Sequence, residues 1–551
     1  MANTLLLLIP TLLATAPLFA QAPAANSAQL ANGNASADGG NSAQPNIVFI
    51  FSDDHAPHAI GAYGTRYAEI NPTPNIDQLA SQGMLFRNSF CTNSICGPSR
   101  AVILTGKHSH ENGFMANGNR FNGDQQTFPK LLQKAGYQTA VIGKWHLHTD
   151  PQGFDYWDIL PGQGDYYNPV FISPEGRRTV EGYCTDLITD MAIGWMEEQR
   201  KDGKPFLLMA QHKGPHRNWM PPLRYLNLWD DVELPVPDTL FDDYADNASP
   251  ARGQEMEIDR HMNAAYDLFL DPREDTISGI ATDKSGFRNL EKMTPEQLKA
   301  WRAGYADKNK AFYEANLKGK DLVRWKYQRY MKNYLRTSKA VDDSVGKIVK
   351  YLEEAGLAEN TIVIYSSDQG FYLGDHGWYD KRWMYEESLK MPLVVRWPGH
   401  APPGTVNKNM VQNLDYAPTF LQAAGVDVPQ DMQGMSLLPL LQNKGDFNLD
   451  EAEVVELSVD GDKWRDSIYY HYYGFPAVHM VQRHYGIRTD RYKLIRYYQV
   501  GEWELFDLHE DPDELNNLYG KPEYTDLTVR LAQQLGELQA YYGDDSAEGE
   551  K

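Results

Sequence analysis

Cysteine is scarce in this chain: three residues in 551, at positions 91, 96 and 184. Three thiols cannot all pair within one chain, so the fold rests on its core and not on a disulfide framework. Cys91 and Cys184 either pair with each other or stay as buried thiols, and Cys96 is left over as a candidate reactive position. Positive charge is also in deficit. Fifty-two Lys and Arg face 74 Asp and Glu, a net charge of -22. That balance, with a pI near 5.1, excludes general affinity for nucleic acid or acidic membranes, while leaving room for a local basic pocket. Long apolar runs are missing beyond the N-terminus. The opening "MANTLLLLIPTLLATAPLFAQ" is interrupted by Pro10 and Pro17 and falls short of the ~20 residues of a membrane span. It lacks a basic start but reads as a secretory signal, residues 1–20, cleaved near Ala20. The expected location is periplasmic or secreted. Residues 21–44, rich in Ala, Asn, Ser and Gly, read as a flexible linker. No internal repeat is present.

What the chain does have is strands alternating with helices. "PNIVFIFSDD" (45–54) is an apolar run ending in two aspartates, the pattern of a buried parallel strand. "TFPKLLQKAGYQTAVIGKWHL" predicts a helix, a stop at Gly136 and a strand. "KPFLLMAQHKGPH" predicts another strand, and "MPLVVRWPG" a further one. "VDDSVGKIVKYLEEAGLAENTIVIYSSDQG" predicts a helix, a stop at Gly356 and a strand with an acidic end. The expected fold is α/β, a mostly parallel sheet flanked by helices. Residues 250–335 are read as a charged helical insertion with solvated faces. The predicted division is a catalytic domain over 45–455 and a C-terminal α+β subdomain over 456–545. In the latter, "SIYYHYY", "HYGIRTDRYKLIRYY" and "WELFDL" predict an antiparallel sheet, followed by the helix "TDLTVRLAQQLGELQAYY".

In such sheets ligands bind beyond the carboxyl ends of the strands. The polar clusters lie there. Asp53, Asp54, Asp368 and Gln369 are hard oxygen donors that suit Ca²⁺ or Mg²⁺. Taken alone, an Asp-Asp pair is more often a cap or a solvated loop. Lys144 and His146, then His212, Lys213 and His216, then Lys381 also follow predicted strands or the second acidic pair. One such residue is ordinarily structural. Several at one sheet edge would form a positive pocket beside a metal, holding an oxyanion, with histidine for proton transfer.

"SICGPSRAVILTG" resembles the Cys-x-Pro-Ser-Arg signature of the type I sulfatases. "GYQTAVIGKWH" resembles their second signature, and "NIVFIFSDD" and "SSDQGFYLGDHGWYDKRWMYEES" match further blocks in the same order. The resemblance spans roughly residues 45–540 and implies an alkaline-phosphatase-like fold. It implies that Cys96 is oxidised to Cα-formylglycine by a maturation enzyme that reads Pro98, Ser99 and Arg100. The hydrated aldehyde would attack sulfur with one hydroxyl and expel sulfate with the other, a two-step covalent mechanism. By the same resemblance, Asp53, Asp54, Asp368 and Gln369 are the ligands of one calcium, with Gln369 departing from the commoner asparagine. Arg100 supports the site, Lys144 and Lys381 bind sulfate oxygens, and His146 assists the formylglycine. His216 best matches the leaving-group histidine, with His212 the competitor and a candidate substrate contact.

The C-terminal "YYHYYGFPAVHMVQRHYGIRTDRYKLI" resembles exo-acting bacterial sulfatases that remove 6-O-sulfate from N-acetylglucosamine of heparan-type glycans. His471, His479, Arg483 and His484 are its candidate sugar contacts, against a reading as incidental charge on an aromatic sheet. The expected partner is a sulfated oligosaccharide. The alternatives are a sulfated algal or animal galactan, a phosphonate or phosphate ester, and a non-catalytic glycan-binding relative.

Overall fold

The structure is a computed structural model that describes residues 44–270, 286–442, 458–459 and 462–546. The expected signal segment, and all but the last residue of the linker, lie outside the described residues. None of the described helices is long and apolar enough to cross a membrane.

A ten-stranded sheet organises residues 46–407. Its order is Thr405–Asn407, Met84–Phe86, Leu393–Arg396, Thr361–Ser367, Asn46–Ser52, Phe206–Gln211, Gln138–Lys144, Tyr156–Leu160, Val170–Ser173 and Gly176–Thr179. The five central strands from Thr361–Ser367 to Tyr156–Leu160 run parallel. Leu393–Arg396 is antiparallel to both neighbours, and an antiparallel hairpin closes the far edge. The strand Asn46–Ser52 is buried at every position because both faces are covered. Ile47, Phe49 and Phe51 alternate into one core with Phe128 and Phe420. Val48 and Ile50 alternate into another with Ile188, Val345 and Ile348.

The helices stop as their sequences direct. Phe128–Lys134 ends before Gly136 (φ 96°), and Gly319–Glu354 ends before Gly356 (φ 66°), the left-handed position that glycine occupies without strain. The region read as a solvated insertion differs from that reading. Lys326, Arg329 and Arg336 on Gly319–Glu354 are buried. Arg329 donates to Leu268 O at 3.0 Å and Arg336 to Leu228 O at 2.7 Å, and Lys326 reaches Asp259 O. Long cationic side chains here satisfy carbonyls of an irregular loop laid over the helix, so charge does not mark a solvent face.

A second sheet, Ser467–Tyr472, His484–Thr489, Tyr492–Tyr497 and Glu502–Asp507, is antiparallel throughout. It carries the helix Thr525–Tyr542 on one face. Its other face docks on the first unit through buried charge. Lys493 pairs with Glu386 at 2.9 Å and Glu514 at 2.8 Å, and Arg488 with Glu386 at 3.2 Å. Tyr470 also donates to Arg382 O at 2.6 Å.

Candidate active site

Sheet register brings the predicted clusters to one edge. Phe51 pairs with Gln211, Ser52 with Ser367, and Gly143 with Gln211. The chain therefore leaves three neighbouring strands at one level with Asp53-Asp54, His212-Lys213 and Asp368-Gln369, while Lys144 ends a fourth. Asp53, Asp54 and Asp368 each place a carboxylate oxygen within 4.8 Å of the others, and Cys96 Sγ and a His216 ring nitrogen stand within the same distance of Asp53 and of each other.

Cys96 is the first residue of the helix Cys96–Thr105, so it sits where unpaired N–H groups favour negative charge. Gly97 N–H donates to Asn117 Oδ1 at 3.0 Å. A Cβ on Gly97 would lie 2.6 Å from the Phe114 ring, which explains glycine beside the cysteine. Burial pushes the Cys96 thiol up to about 12, so the unmodified side chain is a poor nucleophile near neutral pH. Ser99 is fully buried, bonded to Asp368 O and accepting from Asn413 at 2.9 Å. Arg100 donates to Asp368 Oδ2 through Nε at 3.2 Å and Nη2 at 3.0 Å. Its other arm reaches Lys144 O at 2.7 Å and Gln211 Oε1 at 3.1 Å. It thus ties three strand ends together.

The acidic cluster is buried, and its charge is met by cations. Lys144 pairs with Asp53, Lys381 with Asp54 at 2.7 Å, and Arg100 lies 3.8 Å from Asp53. Asp53 Oδ1 and Gln369 Oε1 are buried without a hydrogen-bond partner, and Asp53 Oδ2 is met only by the cations. Burial, with Asp368 and Asp380 nearby, pushes the Asp54 carboxyl up to about 7 although Lys381 opposes it. Three carboxylates brought this close together, with the unpartnered oxygens of Asp53 and Gln369 among them, fit a hard divalent cation, which would satisfy those oxygens and hold Asp54 ionised. Asp54 (φ 67°), His146 (φ 60°), Asp380 (φ 83°) and Arg382 (φ 97°) all carry left-handed backbone, strain of the kind that collects at functional sites.

His216 donates from Nδ1 to Arg217 O at 2.6 Å, leaving Nε2, 3.8 Å from Asp54 Oδ2. Burial and the charges of Lys144, Lys381 and Lys213 hold its imidazole well below the usual histidine range. His212 is also buried, but its Nε2 meets Ser344 Oγ at 2.9 Å. That bond holds His212 to the helix behind the loop, and its Nδ1 has no partner within the protein.

The C-terminal candidates separate. His479 joins the site: its Nε2 lies 3.0 Å from Asp380 Oδ2, and its Nδ1 donates to Glu255 O at 2.6 Å. His471 does not. Strand alternation puts it on the face opposite Tyr470 and Tyr472, and its Nδ1 meets Asp544 Oδ2 at 2.7 Å. It shares that carboxylate with Tyr469 and Tyr473 and clamps the chain beyond the last helix. His484 is fully buried, with its ring stacked on Trp383, and Arg483 donates to Phe475 O at 3.0 Å. His471 and His484 depart from the expected sugar contacts because the strands that carry them are buried between the large-sheet region and the last helix; Arg483, just before the second strand, is half-buried and turned to a main-chain oxygen.

Residues that motif reading passed over also belong here. Asp380 and Arg382 flank Lys381 and pair with each other. Arg217 forms a two-pronged pair with Asp267 at 2.7 Å per arm. Gln163 contacts both Lys144 and His146. The "DKR" triplet is visible in the sequence, but which side chains turn inward follows from left-handed backbone that no periodicity announces. All three cysteines are free and buried, so Cys91 and Cys184 are thiols.

This fold and this edge define a class, the alkaline-phosphatase-like hydrolases that gather metal-binding carboxylates beyond a parallel sheet. The chain belongs to the sulfatase family, which its residues 45–426 match, and residues 374–541 match the family described as N-sulphoglucosamine sulphohydrolase, C-terminal. It is therefore a sulfuric ester hydrolase of a family that uses formylglycine and a divalent metal. It is 48% identical to an N-acetylglucosamine-6-O-sulfatase of Bacteroides thetaiotaomicron over 91% of this chain and 87% of that protein. It is 28% identical to a human N-acetylglucosamine-6-sulfatase over 76% of this chain and 68% of that one. A solved structure in complex with its substrate D-glucosamine-2-N,6-O-disulfate superposes with a TM-score of 0.85, at 46% identity, covering 92% of this chain and all of that one.

Proposed function

We propose that this chain removes the 6-O-sulfate of a glucosamine-type sugar in a sulfated glycan, with Cys96 as the formylglycine precursor and one Ca²⁺ held by Asp53, Asp54, Asp368 and Gln369. The observation that carries the substrate is the 48% identity to an N-acetylglucosamine-6-O-sulfatase across nearly the whole chain. The all-oxygen donor set favours calcium over the softer transition metals. The bound metal and the modified side chain would supply a polarising charge and a hydroxyl nucleophile for attack at sulfur.

The protein's own residues do the rest. Lys144 and Lys381, buried beside Asp53 and Asp54, bring positive charge to the sulfate oxygens, where charge grows in the transition state. Arg100 fixes Asp368 and the end of the Lys144 strand, so that ligand and cation keep their spacing. His216 has its Nδ1 committed to a carbonyl, so it exchanges a proton only at Nε2. The surrounding cations and burial disfavour a proton there, and the negative charge of a bound sulfate ester would offset them, giving Nε2 the proton that a leaving alcohol needs. Asp380, Arg382 and His479 form the polar wall beside Lys381 and face the sugar hydroxyls. An exported location accords with the reading of residues 1–20 as a secretory signal.

The test compares sulfate release from 6-O-sulfo-N-acetylglucosamine and 6-O-sulfo-galactose, with Ca²⁺ present and Cys96 conversion verified by mass spectrometry. The expected result is preference for the glucosamine. Preference for the galactose would overturn the substrate and keep the chemistry. Release of phosphate from a matched aryl phosphate at a higher rate than sulfate would overturn both.

A further inference from the structure

The turn after the strand Tyr156–Leu160 carries a residue that the mechanism above does not use. It reads Pro161-Gly162-Gln163-Gly164, and both glycines are left-handed, at φ 53° and 68°. Gly164 N–H donates to Pro161 O at 3.0 Å. A Cβ on Gly164 would lie 2.7 Å from Leu160 Cδ1, so the turn is built for glycine there. Register places Leu160 beside Lys144, and the turn carries Gln163 across the end of the neighbouring strand.

Three basic residues meet this one glutamine. Lys144 Nζ donates to its Oε1 at 2.6 Å, and Lys213 Nζ to its main-chain oxygen at 3.2 Å. Its Nε2 lies 3.3 Å from His146 Nε2. The chemistry of these partners settles the protons. Lys144 Nζ also faces the Asp53 carboxylate, against which it can act only as a donor, so the amide face turned to Lys144 is the oxygen. The other face is then the NH₂, which has donors only. His146 Nε2 must accept, so in the neutral imidazole the proton sits on Nδ1. His146 Nδ1 is buried and has no partner within the protein.

We propose that Gln163 is a positioning residue that relays the fixed polarity of Lys144 to His146, locking the imidazole as its Nδ1–H tautomer. The Nδ1–H is thereby reserved for an oxygen brought into the site, on the substrate or on modified residue 96. Only the identity of that oxygen rests on the sulfatase reading; the tautomer rests on the Lys144–Gln163–His146 chain.

Substitution at 163 can separate the two contacts. In Gln163→Glu a carboxylate still accepts from Lys144, but it can only accept from His146. Nε2 must then carry the proton, and Nδ1 would turn a lone pair toward an incoming oxygen. Gln163→Met keeps the length and loses both contacts. Gln163 is half-buried at the tip of its turn, so either change spares the core.

Two-bond ¹H–¹⁵N spectra of ¹⁵N-histidine-labelled protein at pH about 8, where an ordinary imidazole is neutral, read the tautomer directly. The His146 signal is assigned by its loss in His146→Gln. The expected results are Nδ1–H in the wild type, Nε2–H in Gln163→Glu and a mixture in Gln163→Met. In turnover, Gln163→Glu should lower kcat about 10- to 100-fold, the range for losing an outer partner that orients a histidine, with KM within about threefold. It should lose at least as much as Gln163→Met, although it alone keeps the Lys144 contact. A wild-type Nε2–H signal, or a Gln163→Glu enzyme with wild-type kcat, overturns the proposal. So does a Gln163→Met protein whose tautomer is unchanged, which keeps the test decisive if Gln163→Glu fails to fold. The spectra decide the tautomer even if no sulfate ester is turned over, so failure of the functional reading is seen separately.

Discussion

Lys381→Met tests whether the cations at the sheet edge serve charge developed during the reaction or only the buried carboxylates. Lys381 Nζ lies 2.7 Å from Asp54 Oδ2 and 3.9 Å from Asp380 Oδ1, and its side chain is 2% exposed. Methionine fills nearly the same volume without charge, so packing is kept. A unit charge about 4 Å from another is worth about 4 kcal/mol at an effective dielectric near 20. Losing it from the transition state corresponds to about a thousandfold in kcat/KM, the upper end of the range for removing one preorganised donor. A second effect follows from the same geometry. Without metal, the substitution strands Asp54 in the interior, and breaking a buried pair in this way costs about 3–5 kcal/mol. With metal bound, the cation takes over that carboxylate and the cost shrinks. The assay is therefore paired: turnover of a 6-O-sulfated sugar, and thermal unfolding with Ca²⁺ and with chelator. The expected pattern is a collapse of kcat/KM, a small loss of stability with Ca²⁺ and a large one with chelator. A variant with near-normal kcat/KM and equal destabilisation in both conditions would refute the argument and make Lys381 a structural counter-ion.

Other expectations follow from the same contacts. Cys96→Ser should fold with an unchanged melting temperature, because the side chain is fully buried and nearly isosteric, and it should release no sulfate catalytically; turnover near the wild-type rate would sink the formylglycine assignment. Burial alone lowers His376, but the Asp242 carboxylate, accepting from Nδ1 at 2.9 Å, and the nearby carboxyls of Glu387 and Glu514 together more than offset it and hold the imidazole up to about 9. A group raised in the folded state stabilises fully below its unfolded value near 6.5 and loses that contribution as pH rises through about 9, here about 3 kcal/mol. Stability measured by denaturant melts should thus fall between those pH values, and Asp242→Asn should flatten the slope; an unchanged slope would remove His376 as its source.

Much of the catalytic edge was legible before any coordinates. Short continuous apolar runs such as Asn46–Ser52 and Thr361–Ser367 announce buried strands, and the last residues of a parallel strand must emerge at its carboxyl edge. Asp53, Asp368 and Lys144 are placed there by chain direction alone. Helix stops at Gly136 and Gly356 were equally plain, since a left-handed residue after a helix favours glycine over every other type. Tertiary structure decided what local pattern does not encode. His471, His479 and His484 lie within fourteen residues of one another, yet one clamps the C-terminus, one joins Asp380 and one is packed against Trp383. Strand alternation and the docking of a second sheet select among them, and both depend on partners distant in sequence. His212 and His216 are four residues apart and were separated only by the helix that supplies Ser344. The charged run over residues 250–335 was read as solvated, and its cations Lys326 and Arg329 are buried instead, because composition carries no record of the loops that would cover them. Gln163 was not singled out by the sequence at all: glycines on either side of it suit a turn, but only the meeting of Lys144 and His146 at its amide shows what the turn holds in place.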